Sequence, residues 1–232
     1  MPVKLTYWDV RGLGEPIRHL LRYQNEPWEN DILVPNAEGF RHYMTMRDAA
    51  DMPFGNLPFI EDNGVKITQS ITVMRYLGRK YNLFPTNPQD VILCETVEQE
   101  VYDLRNRLTN ACYNRYTGMG PIPGSEKGVF DHEHLKKALF RRLKERLPKF
   151  EGLLSKSIFV VGDKPVYVDF ILYEYLDQLR LFLPAAFDGF ESVNSYLSRI
   201  RELPGLKDWF TSEEYMKGEY VNAPHAAWNG KD

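Results

Sequence analysis

Leu57-Pro58-Phe59-Ile60-Glu61-Asp62-Asn63-Gly64-Val65-Lys66-Ile67-Thr68-Gln69-Ser70 is the stretch that decides the fold class. Two short apolar runs, Leu57 to Ile60 and Val65 to Ile67, flank Asn63-Gly64. Both residues of an Asn-Gly pair accept positive φ, which a two-residue hairpin turn imposes, so the stretch reads as a β-hairpin. Ser70 then caps a helix carrying Ile71, Met74 and Leu77 on one face. Upstream, Val3, Leu5 and Tyr7 alternate with polar residues, the period of a half-buried strand. Gly12-Leu13-Gly14-Glu15-Pro16 follows, with Ile17, Leu20 and Leu21 at helical spacing and a proline in the first turn, where a missing N–H costs nothing. A shorter strand candidate runs from Ile32 to Val34. The order is strand, helix, strand, irregular segment, hairpin, helix: a small α/β domain.

Downstream the pattern changes. Pro85 and Pro88 interrupt it and strand signals stop, which sets an expected division into domains 1–83 and 90–232. Cys94, Val97, Val101, Leu104, Leu108 and Ala111 then recur at alternating spacings of three and four, a stripe that packs a long helix along another. Four glycines and two prolines between 118 and 128 mark a loop. Three further helices are expected at about 131–154, 166–182 and 190–203, so the second domain is all-α.

Composition narrows the function classes. The 232 residues are 43% hydrophobic and 26% charged, which fits a globular chain. A net charge of −3 gives no basic face for nucleic acid or anionic lipid, and Lys136, Lys137, Arg141, Arg142 and Lys144 read as a solvated helix face. No run approaches the roughly 18 apolar residues of a membrane span. The two cysteines are far apart and form no CxxC, and MPVKLTYW has no signal-peptide apolar stretch. The expectation is a cytoplasmic protein with reduced thiols.

Most chemical motifs fail on inspection. Gly12-Leu13-Gly14 lacks the third glycine of a dinucleotide fingerprint, since Ile17 stands there, and reads as a strand-to-helix turn. His132 and His134 do not share a helix face, and the other histidines have no cysteine partners, so no metal site is expected. Three features stay open. Tyr7 ends a strand before a turn, as a packing residue or as a hydroxyl at a cleft. Pro58 enters a strand either as an edge residue or as a cis proline. Gln69-Ser70 is either a simple cap or an anion site at a helix N-terminus.

The order of these features carries a resemblance. Tyr7-Trp8-Asp9-Val10-Arg11-Gly12-Leu13, Pro16-Ile17-Arg18, Asn56-Leu57-Pro58, Gln69-Ser70, Met74-Arg75-Tyr76-Leu77, Tyr167-Val168-Asp169-Phe170 and the tail's Asn222-Ala223-Pro224 and Trp228 resemble the mu class of cytosolic glutathione transferases. The resemblance spans nearly the whole chain. It implies a thioredoxin-like α/β domain followed by an all-α helical domain, the glutathione transferase fold, in a homodimer that conjugates glutathione to hydrophobic electrophiles in detoxification. No cofactor is implied, because glutathione is a co-substrate. Tyr7 is implied as the catalytic hydroxyl that stabilises the thiolate. Trp8 and Leu13 are implied to line the glutathione site, Asn56 and Leu57 to hold its backbone ahead of a cis Pro58, and Gln69 and Ser70 to take the γ-glutamyl carboxylate. Asp103 is implied to reach the neighbouring subunit's glutathione. Val10, Tyr102, Arg105 and Tyr113 are implied in the electrophile pocket, and Phe54 as the aromatic key of the dimer. Where the family has a tryptophan and a lysine for the glycyl carboxylate, this chain has Tyr43 and Arg47, with Arg41 nearby; either arginine can grip a carboxylate. The 117–130 loop is longer and richer in glycine than the family's, and Val166 stands where the family has a Ser or Thr cap.

Two other readings compete. One is a non-catalytic carrier of hydrophobic ligands, or a structural protein, on the same fold; a carrier needs no thiol activator at Tyr7. The other is a thiol–disulfide oxidoreductase, which would require a cysteine near Tyr7.

Overall fold

The alternation at Val3, Leu5 and Tyr7 becomes β1 (Val3–Trp8), with all three side chains buried. Around it β2 (Trp28–Leu33), β3 (Phe59–Asp62) and β4 (Val65–Thr68) make one four-stranded sheet in the order β2-β1-β3-β4. β2 is parallel to β1, β3 antiparallel to β1, and β4 antiparallel to β3. The hairpin turns at Asn63 and Gly64, whose φ values of 49° and 83° are the two left-handed positions such a turn requires. This computed structural model describes residues 1–49, 51–113, 132–216, 220–224 and 226–231. The expected 117–130 loop lies outside them.

Helices α1 (Glu15–Gln24) and α3 (Ser70–Lys80) pack on each other and seal the core of Leu5, Ile17, Leu20, Ile60, Val73, Met74 and Leu77. Between β2 and the hairpin, where an irregular segment was expected, stands α2 (Ala37–Arg47). Its only buried residue is Gly39, while Phe40 and Met44 face solvent. No apolar stripe announces such a helix. What starts it is Asn36, whose side chain accepts from the Glu38 and Gly39 N–H groups.

The chain divides into two compact units. The first is Met1–Phe84 together with Glu202–Glu219, and the second is Pro85–Arg201 with Tyr220–Asp232. A linear division at 83 and 90 does not anticipate the return of 202–219, which brings α8 (Leu206–Phe210) against α1 and α9 (Glu213–Met216) against α8. Arg22 lies 3.6 Å over the Trp209 ring, and His19 sits 5.4 Å from Phe210.

In the second unit α4 (Pro88–Tyr113) buries the whole stripe from Cys94 to Ala111 against α5 (His132–Leu154) and α6 (Tyr167–Phe182), with α7 (Glu191–Arg201) alongside. Every residue of α6 from Tyr167 to Leu179 is buried. Its start is held by Asp169, which accepts from the Val166 and Val160 N–H groups at 2.8 and 2.9 Å and from the Tyr196 hydroxyl at 2.9 Å. Burial pushes this carboxyl up to about 6, against the pull of those three donors. Valine has no side-chain oxygen, so only half of a capping box exists here. Restoring the other half by Val166→Thr is expected to stabilise the protein by about 0.5–2 kcal/mol, read as a higher urea midpoint. An unchanged or lower midpoint would mean that the valine methyls contribute more than a cap oxygen.

Candidate functional site

Strand register collects the site. Thr6 pairs with Phe59, and Phe59 pairs with Thr68, so the three form one row across β1, β3 and β4. With the strand directions given, Tyr7 near the end of β1, Leu57-Pro58 entering β3 and Gln69-Ser70 leaving β4 all gather at the same edge of the sheet. Parallel β2 ends there too, Leu33 beside Trp8, and feeds α2 with its Tyr43 and Arg47. Ligands of open α/β sheets bind outside the carboxyl ends of the strands, and this is that edge for β1.

Tyr7 is the centre of the edge. Its side chain is 7% exposed, and its Oη accepts the Leu13 N–H at 2.9 Å. The turn that brings Leu13 there needs glycine. A Cβ on Gly12, where φ is +41°, would stand 2.5 Å from the Tyr7 Oη, and one on Gly14 would stand 2.4 Å from the ring's Cδ1. The Gly12-Leu13-Gly14 turn is thus shaped around a phenol.

Trp8 packs on α2 through Phe40 and Tyr43, with ring centroids 5.0 and 5.7 Å apart. The Leu57–Pro58 peptide is cis, and the Leu57 N–H is taken by the Asn56 side chain at 2.9 Å. Gln69 holds φ of 69° at the head of α3, followed by the buried Ser70 hydroxyl. Arg47 is exposed and engaged in a two-point ion pair with its neighbour Asp48, at 2.8 and 3.1 Å; Arg41 is exposed as well. Phe54, at 76% exposure, is the most open large aromatic of the first unit, on a segment whose Phe54 carbonyl accepts from the Thr68 hydroxyl.

Asp103, Tyr102, Arg105 and Tyr113 all belong to α4 in the second unit. Asp103 is exposed and borders a shallow groove with Ile92, Thr96 and Gln99. Tyr102, one position away and so on a different face, meets Tyr175 edge-on at 5.6 Å. Tyr113 accepts the Ala223 N–H of the tail at 2.6 Å, and the tail's Ala227 N–H bonds the Cys112 carbonyl. Val10 is buried in the first unit. Both cysteines are free, and burial pushes each thiol up to about 12, so neither supplies a thiolate for disulfide exchange. Among the described residues no cluster could hold a metal ion, and no helix is long and apolar enough to cross a membrane.

Behind the edge lies a buried group of charges that the sequence reading did not assign. Glu15, 1% exposed, receives Arg18 at 3.0 Å and Arg22 at 2.6 Å, with His19 at 3.6 Å. Burial alone would raise this carboxyl, but Arg22, His19 and Arg18 hold it well below the usual carboxylate range. Arg18 also donates to the Val10 and Trp8 carbonyls at 3.0 and 3.1 Å and to the Asn30 side chain at 3.3 Å.

Known proteins match this arrangement along its length. Residues 125–213 fit the family model described as the glutathione S-transferase C-terminal domain. A glutathione S-transferase of Tyrophagus putrescentiae is 32% identical over 98% of this chain and 96% of its own. Glutathione S-transferase Mu 1 of Mus musculus is 32% identical over the full length of both. The chain belongs to the glutathione S-transferase family. In structure it is similar to the glutathione S-transferase Blo t 8, at a TM-score of 0.83 and 32% identity over 97% of this chain and 99% of that one. A Pi-class transferase of Onchocerca volvulus follows at 0.77 and 28%, covering 96% and 98%.

In this transferase the Glu15 cluster makes stability depend on pH. A group whose folded pKa is depressed stabilises the fold above its unfolded pKa, near ~4.3 for glutamate, and loses that contribution as pH falls below it. Glu15→Gln, which mimics the protonated state and leaves the buried Arg18 and the half-buried Arg22 without their counter-charge, is expected to cost about 3–5 kcal/mol at neutral pH. The gap to the wild type should narrow below about pH 4.3. Denaturant titrations of both proteins at several pH values check this; a gap independent of pH would contradict it.

Proposed function

We propose that this glutathione transferase activates its co-substrate through Tyr7, whose hydroxyl donates to the glutathione sulfur and stabilises it as the thiolate. The observation that carries the reading is the Leu13 N–H on the Tyr7 oxygen. A donor on a phenol oxygen polarises the O–H and makes it a stronger donor in turn. A free thiol of this kind titrates near pKa ~8.5, so roughly 3% is ionised at pH 7. A hydrogen bond to a charged group is worth about 1.5–3 kcal/mol, or about one to two pKa units, which brings the ionised share at pH 7 to about a quarter at the lower end and about three-quarters at the upper. The thiol proton passes to solvent, and the thiolate then attacks the electrophilic carbon of the second substrate. A C–S bond forms and the leaving group, for an aryl halide, departs with its electron pair.

Around that step we assign glutathione contacts to Trp8, Leu13, Tyr43, Asn56, Leu57, Gln69 and Ser70. The helix N-terminus at Ser70 suits a carboxylate. For the glycyl carboxylate Arg47 is the nearer match to the family's pattern, and it would exchange its exposed Asp48 for the ligand. Val10, Tyr102, Arg105 and Tyr113 are assigned to the electrophile. Tyr7→Phe should lower turnover with an aryl halide at neutral pH by about tenfold or more, while glutathione affinity changes little. Raising the pH should restore much of the loss, since hydroxide then ionises the thiol. Undiminished turnover in the variant would remove Tyr7 from the mechanism. No turnover in the wild type would favour the carrier reading.

The reading extends to a cytoplasmic homodimer serving detoxification. Two free cysteines fit a reducing compartment. The exposed Phe54 ring is the kind of aromatic anchor whose truncation typically costs an interface about 2 kcal/mol or more. Asp103 is assigned to the neighbouring subunit's glutathione. Sedimentation should find a dimer that Phe54→Ala loosens; a wild-type chain monomeric at micromolar concentration would contradict it.

A further inference from the structure

Tyr7 activates a thiol only if its oxygen stays where the sulfur arrives, and two backbone carbonyls follow it closely in the chain. Trp8 directly follows Tyr7, and Val10 opens the turn that delivers the Leu13 N–H to the Tyr7 oxygen. Both carbonyls are taken by one side chain: Arg18 Nη2 donates to Trp8 O at 3.1 Å and Nη1 to Val10 O at 3.0 Å. The same guanidinium lies 5.8 Å from the Tyr7 ring centroid. Its remaining bonds fix it on both sides, Nη1 to Glu15 on α1 and Nε to Asn30 on β2. The side chain is 3% exposed. The geometry points to Arg18 as a positioning residue for the Tyr7 hydroxyl, locking the end of β1 and the following turn into one rigid frame. This rests on Tyr7 being the thiolate donor. A planar fork carries five fixed donors on three nitrogens and so spans acceptors that lie apart, whereas the three donors of an ammonium all leave one nitrogen. Lysine at this position could still balance the charge of Glu15 while losing the paired grip on the carbonyls. That separates positioning from a purely structural charge balance.

The test is the ultraviolet titration of the glutathione thiolate on wild type, Arg18→Lys, Tyr7→Phe and the double variant, with glutathione affinity and turnover measured beside it. Arg18→Lys should bind glutathione within about threefold of wild type, yet its bound thiol should titrate roughly half to one pH unit higher, lowering turnover at neutral pH by about 1.5- to eightfold. Turnover should recover as pH rises. The double variant should titrate like Tyr7→Phe alone, since two residues acting through one hydroxyl are not additive. A wild-type titration in Arg18→Lys, or an equal further shift on top of Tyr7→Phe, overturns the positioning role. If Tyr7→Phe itself titrates like wild type, the reading of Tyr7 fails instead, and the positioning role with it. Should Arg18→Lys not fold, Asn30→Ala decides, because it removes only the contact to Nε at an exposed residue. A smaller upward shift supports the role, and none overturns it.

Discussion

The fold rests on a carboxylate that water cannot reach. Glu15 is buried at the start of α1, where leaving it uncompensated would cost several kcal/mol. Arg18 and Arg22 supply the counter-charge, and each extends it to a different part of the first unit. Arg22 stacks on Trp209 and so ties α8, from far along the chain, to α1. Arg18 ties α1 back to the end of β1. One acidic side chain thus orients the returning segment and the turn that holds Tyr7.

The consequence for chemistry is a hydroxyl with little freedom. Sheet register sets which residues meet at the edge, and backbone bonds from Gly14 and Glu15 to the Arg11 carbonyl shape the turn after β1. Side chains add to that frame: Arg18 on the carbonyls, the Leu13 N–H on the phenol oxygen, and glycines at 12 and 14 that let the turn close on the ring. Preorganised donors are effective because nothing must rearrange as charge develops on the ligand. Of the groups assigned to the peptide's ends, Arg47 and Gln69 are exposed and Ser70 is buried, as Tyr7 is.

Legibility in the sequence followed the physics of each element. The hairpin was readable because Asn63-Gly64 carries its own backbone requirement. The α4 stripe was readable because burial repeats with the helical period. Helix α2 was not, since it buries almost nothing and depends on a local cap at Asn36 and on Trp8 lying against it. The return of 202–219 was hidden for another reason: its partners, His19 and Arg22, lie nearly two hundred positions earlier, and no periodicity links them. Within the site, Tyr7 was singled out through the order of neighbouring motifs. Arg18 was quoted only as part of a motif, because a buried arginine on backbone carbonyls leaves no mark in a single sequence.

The most direct test of the account is a crystal structure of the protein with glutathione bound. The account predicts the sulfur within hydrogen-bond reach of the Tyr7 Oη, the Leu13 N–H still on that oxygen, and the γ-glutamyl carboxylate at the Ser70 end of α3. A sulfur directed away from Tyr7, with the peptide seated elsewhere than the carboxyl edge of β1, would contradict it.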